Sequence, residues 1–291
     1  MKNIIMICLS LMASLGCIGA VYADVQPATQ PDTVAVTREP ANGLPTHTVF
    51  RPADLSAYGE AELPVVIWTN GACRPSHFGY ISYLSGLAQG GYIVVAFGGI
   101  NETDTEGQTE QPQRSLAAMD WLATPQARQQ FNGRADINRI ATSGTSCGGL
   151  EALLAAADPR VDAVLALNTG FFVEQINRVR SSLEDIDDVT VPIFLIYGGP
   201  DDIAAPNAIA NYERSNAPFV LVNADGAGHN GLTYGIWEGD ADMGILIESV
   251  NIGTTWLDYA LKGDHEAGQK LLTDDCFYCR MDIFEVQHKG F

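Results

Sequence analysis

Arg139-Ile140-Ala141-Thr142-Ser143-Gly144-Thr145-Ser146-Cys147-Gly148-Gly149-Leu150-Glu151-Ala152-Leu153-Leu154 runs from a short strand-like segment through G-x-S-x-G into a row of good helix formers. A strand that passes straight into a helix must turn sharply, and the serine sits on that strained turn. Glycine at the flanking positions lets neighbouring backbone approach where a Cβ would block it. The turn lifts the Ser146 hydroxyl out of the sheet and aims the positive end of the following helix at it. Ser146 is therefore a candidate nucleophile at the end of a strand.

Outward from this segment the same alternation continues. Short β-branched or aromatic runs occur at 46–50, 65–69, 92–97, 139–142, 161–167, 193–197 and 219–222, with a further strand near 33–36. Segments of helical periodicity lie between them at 77–88, 113–122, 149–157, 207–214 and 241–261. In the last of these, Met243, Ile247, Val250, Trp256, Leu257, Ala260 and Leu261 are expected on one helical face. Apolar strands alternating with helices predict an α/β fold, a mostly parallel sheet covered on both faces. The earliest strands, joined by short connections, can be antiparallel. No repeat or long linker divides the chain, so one catalytic domain is expected over 44–270, with its first strand as early as residue 32. Residues 24–43 read as an N-terminal arm and 271–291 as a tail.

The 291 residues carry 35 acidic against 16 basic side chains, a formal charge of −19. Nucleic acids and anionic membrane surfaces draw their affinity from Lys and Arg, so this balance argues against both as partners. Residues 1–23, with Lys2 ahead of an apolar run and Val21-Tyr22-Ala23 at the expected cleavage point, read as a secretory signal peptide. Acylation at Cys17 is the alternative reading of this segment. Removal of the signal leaves Cys73, Cys147, Cys276 and Cys279, and export would place them where thiols pair. Cys276 and Cys279 are expected to form a small local disulfide. Gly98-Gly99 and Gly198-Gly199 follow strands, but neither stretch fits a dinucleotide or P-loop phosphate cradle.

A serine hydroxyl is a weak nucleophile near neutral pH and needs a base. Of the five histidines, His229 alone lies in a glycine-rich loop, Asp225 to Gly231, after the last of these strands and before the last helix. An acid should orient the imidazole and stabilise its charged form. Asp201 and Asp202 follow the 193–197 strand at the same sheet edge, and either can serve. An oxyanion hole requires preset backbone N–H groups. Cys147 is expected to supply one, and Ala72, in Asn70-Gly71-Ala72-Cys73, the other. Two donors converging on one oxygen would bring Cys73 and Cys147 together, which favours a disulfide between them. Two free thiols, or a bridge to the tail, are the other arrangements.

Together the G-T-S-C-G elbow, the G-G-P-D-D-I-A stretch, the G-A-G-H loop and the N-G-A-C turn resemble the α/β-hydrolases. The likeness is to the dienelactone-hydrolase and polyester-hydrolase (cutinase and PET hydrolase) side of that superfamily, over nearly the whole chain after the signal. In such enzymes the acid usually stands four residues after the first glycine of its loop, which implies Asp202. Asn70 departs from the His or Pro often found before the oxyanion glycine, and cysteines beside both oxyanion donors are not a cutinase feature.

Only residues 168–191 separate the 161–167 strand from the next one, too few for a large lid. An open cleft suited to bulky or polymeric esters is therefore expected. Phe171, with Phe172 beside it, is assigned to substrate binding as lining of the acyl pocket, packing under the short helix being the other reading, and residues 99–113 are expected to form a mobile polar rim or a solvated loop. The expected activity is hydrolysis of carboxylic esters through an acyl-enzyme on Ser146, His229 and Asp202, requiring no metal or organic cofactor. The expected protein is a secreted or periplasmic monomer with no stable membrane association. An exported peptidase or acyltransferase on the same scaffold, and a non-catalytic binding protein, are the alternative readings.

Overall fold

The computed structural model describes residues 34–101, 112–174, 181–233 and 242–291. The signal segment with Cys17, most of the N-terminal arm and most of the 99–113 rim lie outside the described residues. In chain order the strands and helices are β1 (Val36–Pro40), β2 (His47–Pro52), β3 (Leu63–Thr69), α1 (Ile81–Gln89), β4 (Ile93–Phe97), α2 (Gln113–Leu122), α3 (Pro125–Gln130) and β5 (Ala135–Thr145). There follow α4 (Cys147–Ala155), β6 (Ala163–Leu167), β7 (Ile193–Tyr197), α5 (Ala205–Arg214), β8 (Phe219–Ala224), α6 (Met243–Lys262), α7 (His265–Gln269) and β9 (Phe284–Lys289). They build one nine-stranded sheet of order β1-β2-β4-β3-β5-β6-β7-β8-β9. The strands from β4 to β8 pair in parallel, and the antiparallel pairs are β1/β2, β2/β4 and β8/β9. This is the mostly parallel α/β architecture that the alternating pattern predicts, and it is consistent with an α/β-hydrolase-like fold.

The core lies in two layers because strand side chains alternate between faces. On β3, Val65 and Ile67 pack with Trp121, Leu150 and Leu153 on one side. Val66 and Trp68 pack with Leu84, Leu87 and Trp256 on the other. With both faces covered, every residue of β3 is buried, which is why the parallel strands read as unbroken apolar runs rather than as alternating ones.

On α6 the buried side chains are Leu246, Ser249, Ile252, Gly253, Trp256 and Leu257, among others, while Met243 and Ile247 are each 52% exposed. The seam passes through Ser249 and Gly253, small residues that apolar periodicity overlooks. At Gly253 the helix lies close enough to Tyr83 and Leu165 that a Cβ would touch both. The segment beyond residue 270 carries the last strand: β9 pairs with β8 from Phe219↔Lys289 to Ala224↔Phe284. Phe284 is buried, and the Lys289 ammonium donates to the Ser215 carbonyl at 2.6 Å. Residues 34–291 form one compact unit. No helix among the described residues is long and apolar enough to cross a membrane.

Candidate active site

β5 ends at Thr145 and α4 begins at Cys147, so the whole change of direction falls on Ser146. Its φ of 54° and ψ of −121° form a conformation that side-chain-bearing residues rarely adopt. Such strain costs of order 1–3 kcal/mol and persists only where the surroundings hold it. Here the end of β6 holds it: Ser146 N–H donates to the Leu167 carbonyl at 2.9 Å, and the Thr169 hydroxyl donates to the Ser146 carbonyl at 2.8 Å. The flanking glycines have a steric cause. A Cβ at Gly144 would strike the Gly148 carbonyl, and one at Gly148 would strike the Thr69 carbonyl. α4 thus starts in close contact with the end of β3, where the Thr69 hydroxyl donates to the Gly148 carbonyl at 2.7 Å.

The His229 imidazole bridges two loops. Its Nε2 lies 2.9 Å from Ser146 Oγ and its Nδ1 lies 2.6 Å from Asp202 Oδ1. The loops that carry the acid and the imidazole touch backbone to backbone: Gly228 N–H donates to the Gly198 carbonyl at 2.7 Å, and a Cβ on Gly198 would collide with Gly228. Asp202 is 1% exposed, whereas Asp201 faces solvent. Burial works to raise the Asp202 pKa. Hydrogen bonds from His229, from Asn168 and from the N–H groups of Gly198 and Ala204 outweigh it, and the carboxyl is held below its ordinary value. An ionised, fully bonded carboxylate therefore backs the imidazole. The buried His47 and His77 are held far below the usual histidine range, at about 3 and about 4, chiefly by desolvation. Neither is bonded to Ser146.

The loop after β3 is joined to the elbow through Cys147. Asn70 is fully buried and anchors it: Asn70 accepts from the Trp68 indole at 2.9 Å and donates to the carbonyls of Phe97 and Arg74 at 2.8 and 3.0 Å. This many-handed amide is what stands where His or Pro is often found. Ala72 and Cys73 both have positive φ, 53° and 52°. Cys73 is disulfide-bonded to Cys147, with Cα atoms 5.3 Å apart, so this loop is covalently tied to the residue after Ser146. Cys276 and Cys279 form the second disulfide, with Cα atoms 5.0 Å apart. The two bridges suggest an oxidising, extracellular environment. The sulfurs of Cys73 and Cys147 lie within 4.8 Å of the Glu151 carboxylate. Metals bind thiolates, and both sulfurs are committed to the disulfide. Glu151 is itself paired with buried Arg114 at 2.7 Å.

A cavity of about 150 Å³ opens beside Ser146 and His229, with Leu150, Phe172 and Ile203 as its apolar walls. A larger hollow of about 430 Å³, between α3 and the start of β5, includes none of Ser146, Asp202 and His229. The assignment of substrate contact to Phe171 is corrected: its side chain is 0% exposed within the core, and Phe172 lies on the wall instead. Phe172 packs against the same core only in part, and in this irregular segment periodicity gives no guide to which of the two is covered. Asn168 and Thr169 were not singled out by the sequence. Asn168 donates to Asp202 Oδ2 at 2.8 Å and to the Gly228 carbonyl at 3.1 Å. The available signal was an Asn-Thr-Gly at the end of β6, one strand from the elbow.

Fold and site geometry thus define an α/β protein in which a hydroxyl, an imidazole and a buried carboxylate are joined at the C-terminal edge of a parallel sheet. No family model matches the chain. Over 129 residues it is 33% identical to hydrolase ffsE of Aspergillus flavipes, a match that takes in 41% of this chain and 28% of that relative. The chain therefore matches less than a third of the relative's length. This partial likeness is to a protein named as a hydrolase, and the mostly parallel sheet is consistent with an α/β-hydrolase-like fold.

Proposed function

We propose that the chain is an exported serine hydrolase of carboxylic esters, with Ser146 as nucleophile, His229 as general base and Asp202 as the acid that orients it. The observation that carries the reading is the unbroken pair of hydrogen bonds from Ser146 Oγ through the imidazole to Asp202, built on a residue of strained backbone. His229 Nε2 takes the hydroxyl proton as Ser146 Oγ attacks the ester carbonyl carbon, and the C=O electron pair moves to oxygen. The N–H groups of Cys147 and Ala72 stabilise that oxyanion. Each such donor is typically worth about 10² to 10³ in rate. The tetrahedral species collapses, the bond to the alcohol oxygen breaks, and the imidazolium gives its proton to the leaving alcohol. Water, deprotonated by His229, then attacks the acyl-enzyme, and the acid departs as Ser146 regains its proton.

The short β6–β7 connection supports a cleft open to bulky or polymeric esters; residues 175–180 of it lie outside the described residues. The apolar walls at Phe172 and Ile203, with a chain of net charge −19, favour uncharged acyl or alcohol groups over anionic ones. Residues 1–23, likewise outside the described residues, are the proposed export signal. Hydrolysis of a p-nitrophenyl ester panel tests the ester assignment: esters should be cleaved and aminoacyl anilides should not. A preference for the anilides would instead indicate a peptidase.

A further inference from the structure

Three residues at the end of β6 each touch a different part of the site. Leu167 holds the Ser146 N–H, Asn168 reaches Asp202 and Gly228, and Thr169 holds the Ser146 carbonyl. Asn168 makes the least replaceable of these contacts. It is fully buried, its φ is 47°, and its own N–H donates to the Ile196 carbonyl at 2.8 Å, so both its backbone and its position are fixed by β7. Asparagine tolerates this left-handed backbone better than most residues with a side chain. Its Nδ2 carries two hydrogens and has two acceptors within reach. One is the carboxylate oxygen of Asp202 that His229 does not use, and the other is the carbonyl immediately before His229.

We infer that Asn168 is a positioning residue for the hydrolytic reaction, a clamp that fixes Asp202 and the His229 loop relative to each other. The inference rests on the reading of Ser146, His229 and Asp202 given above. Without the clamp, the Nδ1–Oδ1 bond and the Gly228–Gly198 backbone bond would remain between the two loops, with the second carboxylate oxygen of Asp202 no longer tied to the His229 loop. The imidazole would then sample orientations in which Nε2 no longer faces Ser146. Asp202 is not among the residues that line the cavity beside Ser146, and Asn168 is fully buried at its edge, so the loss is expected in turnover rather than in binding.

The test uses Asn168→Gly, because glycine accepts the positive φ and removes the amide, at the further loss of only a long 3.5 Å contact from the Thr145 hydroxyl. The expected result is a fall in kcat of about 10- to 100-fold, the range for losing a hydrogen bond to a charged group, with KM changed less than about 2-fold. In an Asp202→Asn background the same change should cost clearly less, since a residue that acts through the acid has little left to position. An unchanged kcat with only a lowered Tm, or losses that multiply independently in the double variant, would overturn the inference. Fluorophosphonate labelling of the unaltered protein separates the two levels. If Ser146 is not labelled, the reading of the site fails and the clamp with it; if Ser146 is labelled and Asn168→Gly turns over normally, only the clamp fails.

Discussion

At the residue scale, the proposed chemistry depends on a carboxylate that stays ionised while buried. Four donors converge on Asp202, and that accounts for its lowered pKa despite desolvation. Asp202→Asn is expected to lower kcat by about 10⁴-fold, the order seen when the orienting acid of such a triad is made neutral. Steady-state ester hydrolysis measures it. Stability should respond to pH as well. A carboxyl whose folded pKa lies below its unfolded value contributes stability that is complete above about 4 and is lost as the pH falls through the lower, folded value. The Tm gap between the unaltered protein and Asp202→Asn should therefore narrow on going from about pH 5 to about pH 3. A gap that stays constant would mean the carboxylate is not held by its charge. Asp201, one residue earlier and in solvent, should show neither effect when changed to Asn.

At the element scale, the loop after β3, the proposed oxyanion loop, is held by Asn70 and by the Cys73–Cys147 disulfide. The bridge closes a long loop, with its cysteines 74 positions apart, and removing it by paired Cys→Ala changes should cost about 2 to 4 kcal/mol in urea unfolding. If it also fixes the donors, kcat should fall by about 10²-fold or more while KM moves little. A loss of stability with full kcat would show that the bridge serves the fold alone. What the sequence could and could not express follows from similar local physics. The strands and main helices could be read because two-sided burial forces long apolar runs and helical faces recur every three to four residues. The seam of α6 could not, because Ser249 and Gly253 earn their place by size rather than hydrophobicity. The Phe171 and Phe172 orientations could not either, since no periodicity operates in that segment. Asn168 escaped notice because an asparagine after a strand usually signals nothing more than a turn.

At the scale of the whole molecule, the sheet brings loops from distant parts of the chain to one edge, the ends of β3, β5, β6, β7 and β8. The C-terminal segment belongs to this framework, because β9 covers the edge of β8. Its mixed sequence, Phe-Glu-Val-Gln-His-Lys, reads as surface and conceals a strand whose buried contribution rests largely on Phe284. Ending the chain before β9 should expose an unpaired strand edge and give aggregated or unfolded protein. A monodisperse, cooperatively melting product would refute that. The central claim is that the strained serine at the end of β5 is the nucleophile of an acyl-transfer reaction. The most direct test is to treat the protein with a fluorophosphonate, map the adduct by peptide mass spectrometry and follow p-nitrophenyl ester hydrolysis in the same sample. The account predicts a single adduct on Ser146 that forms in step with the loss of activity and is absent from Ser146→Ala, which should be inactive though folded. An adduct elsewhere, or full hydrolysis by Ser146→Ala, would contradict it.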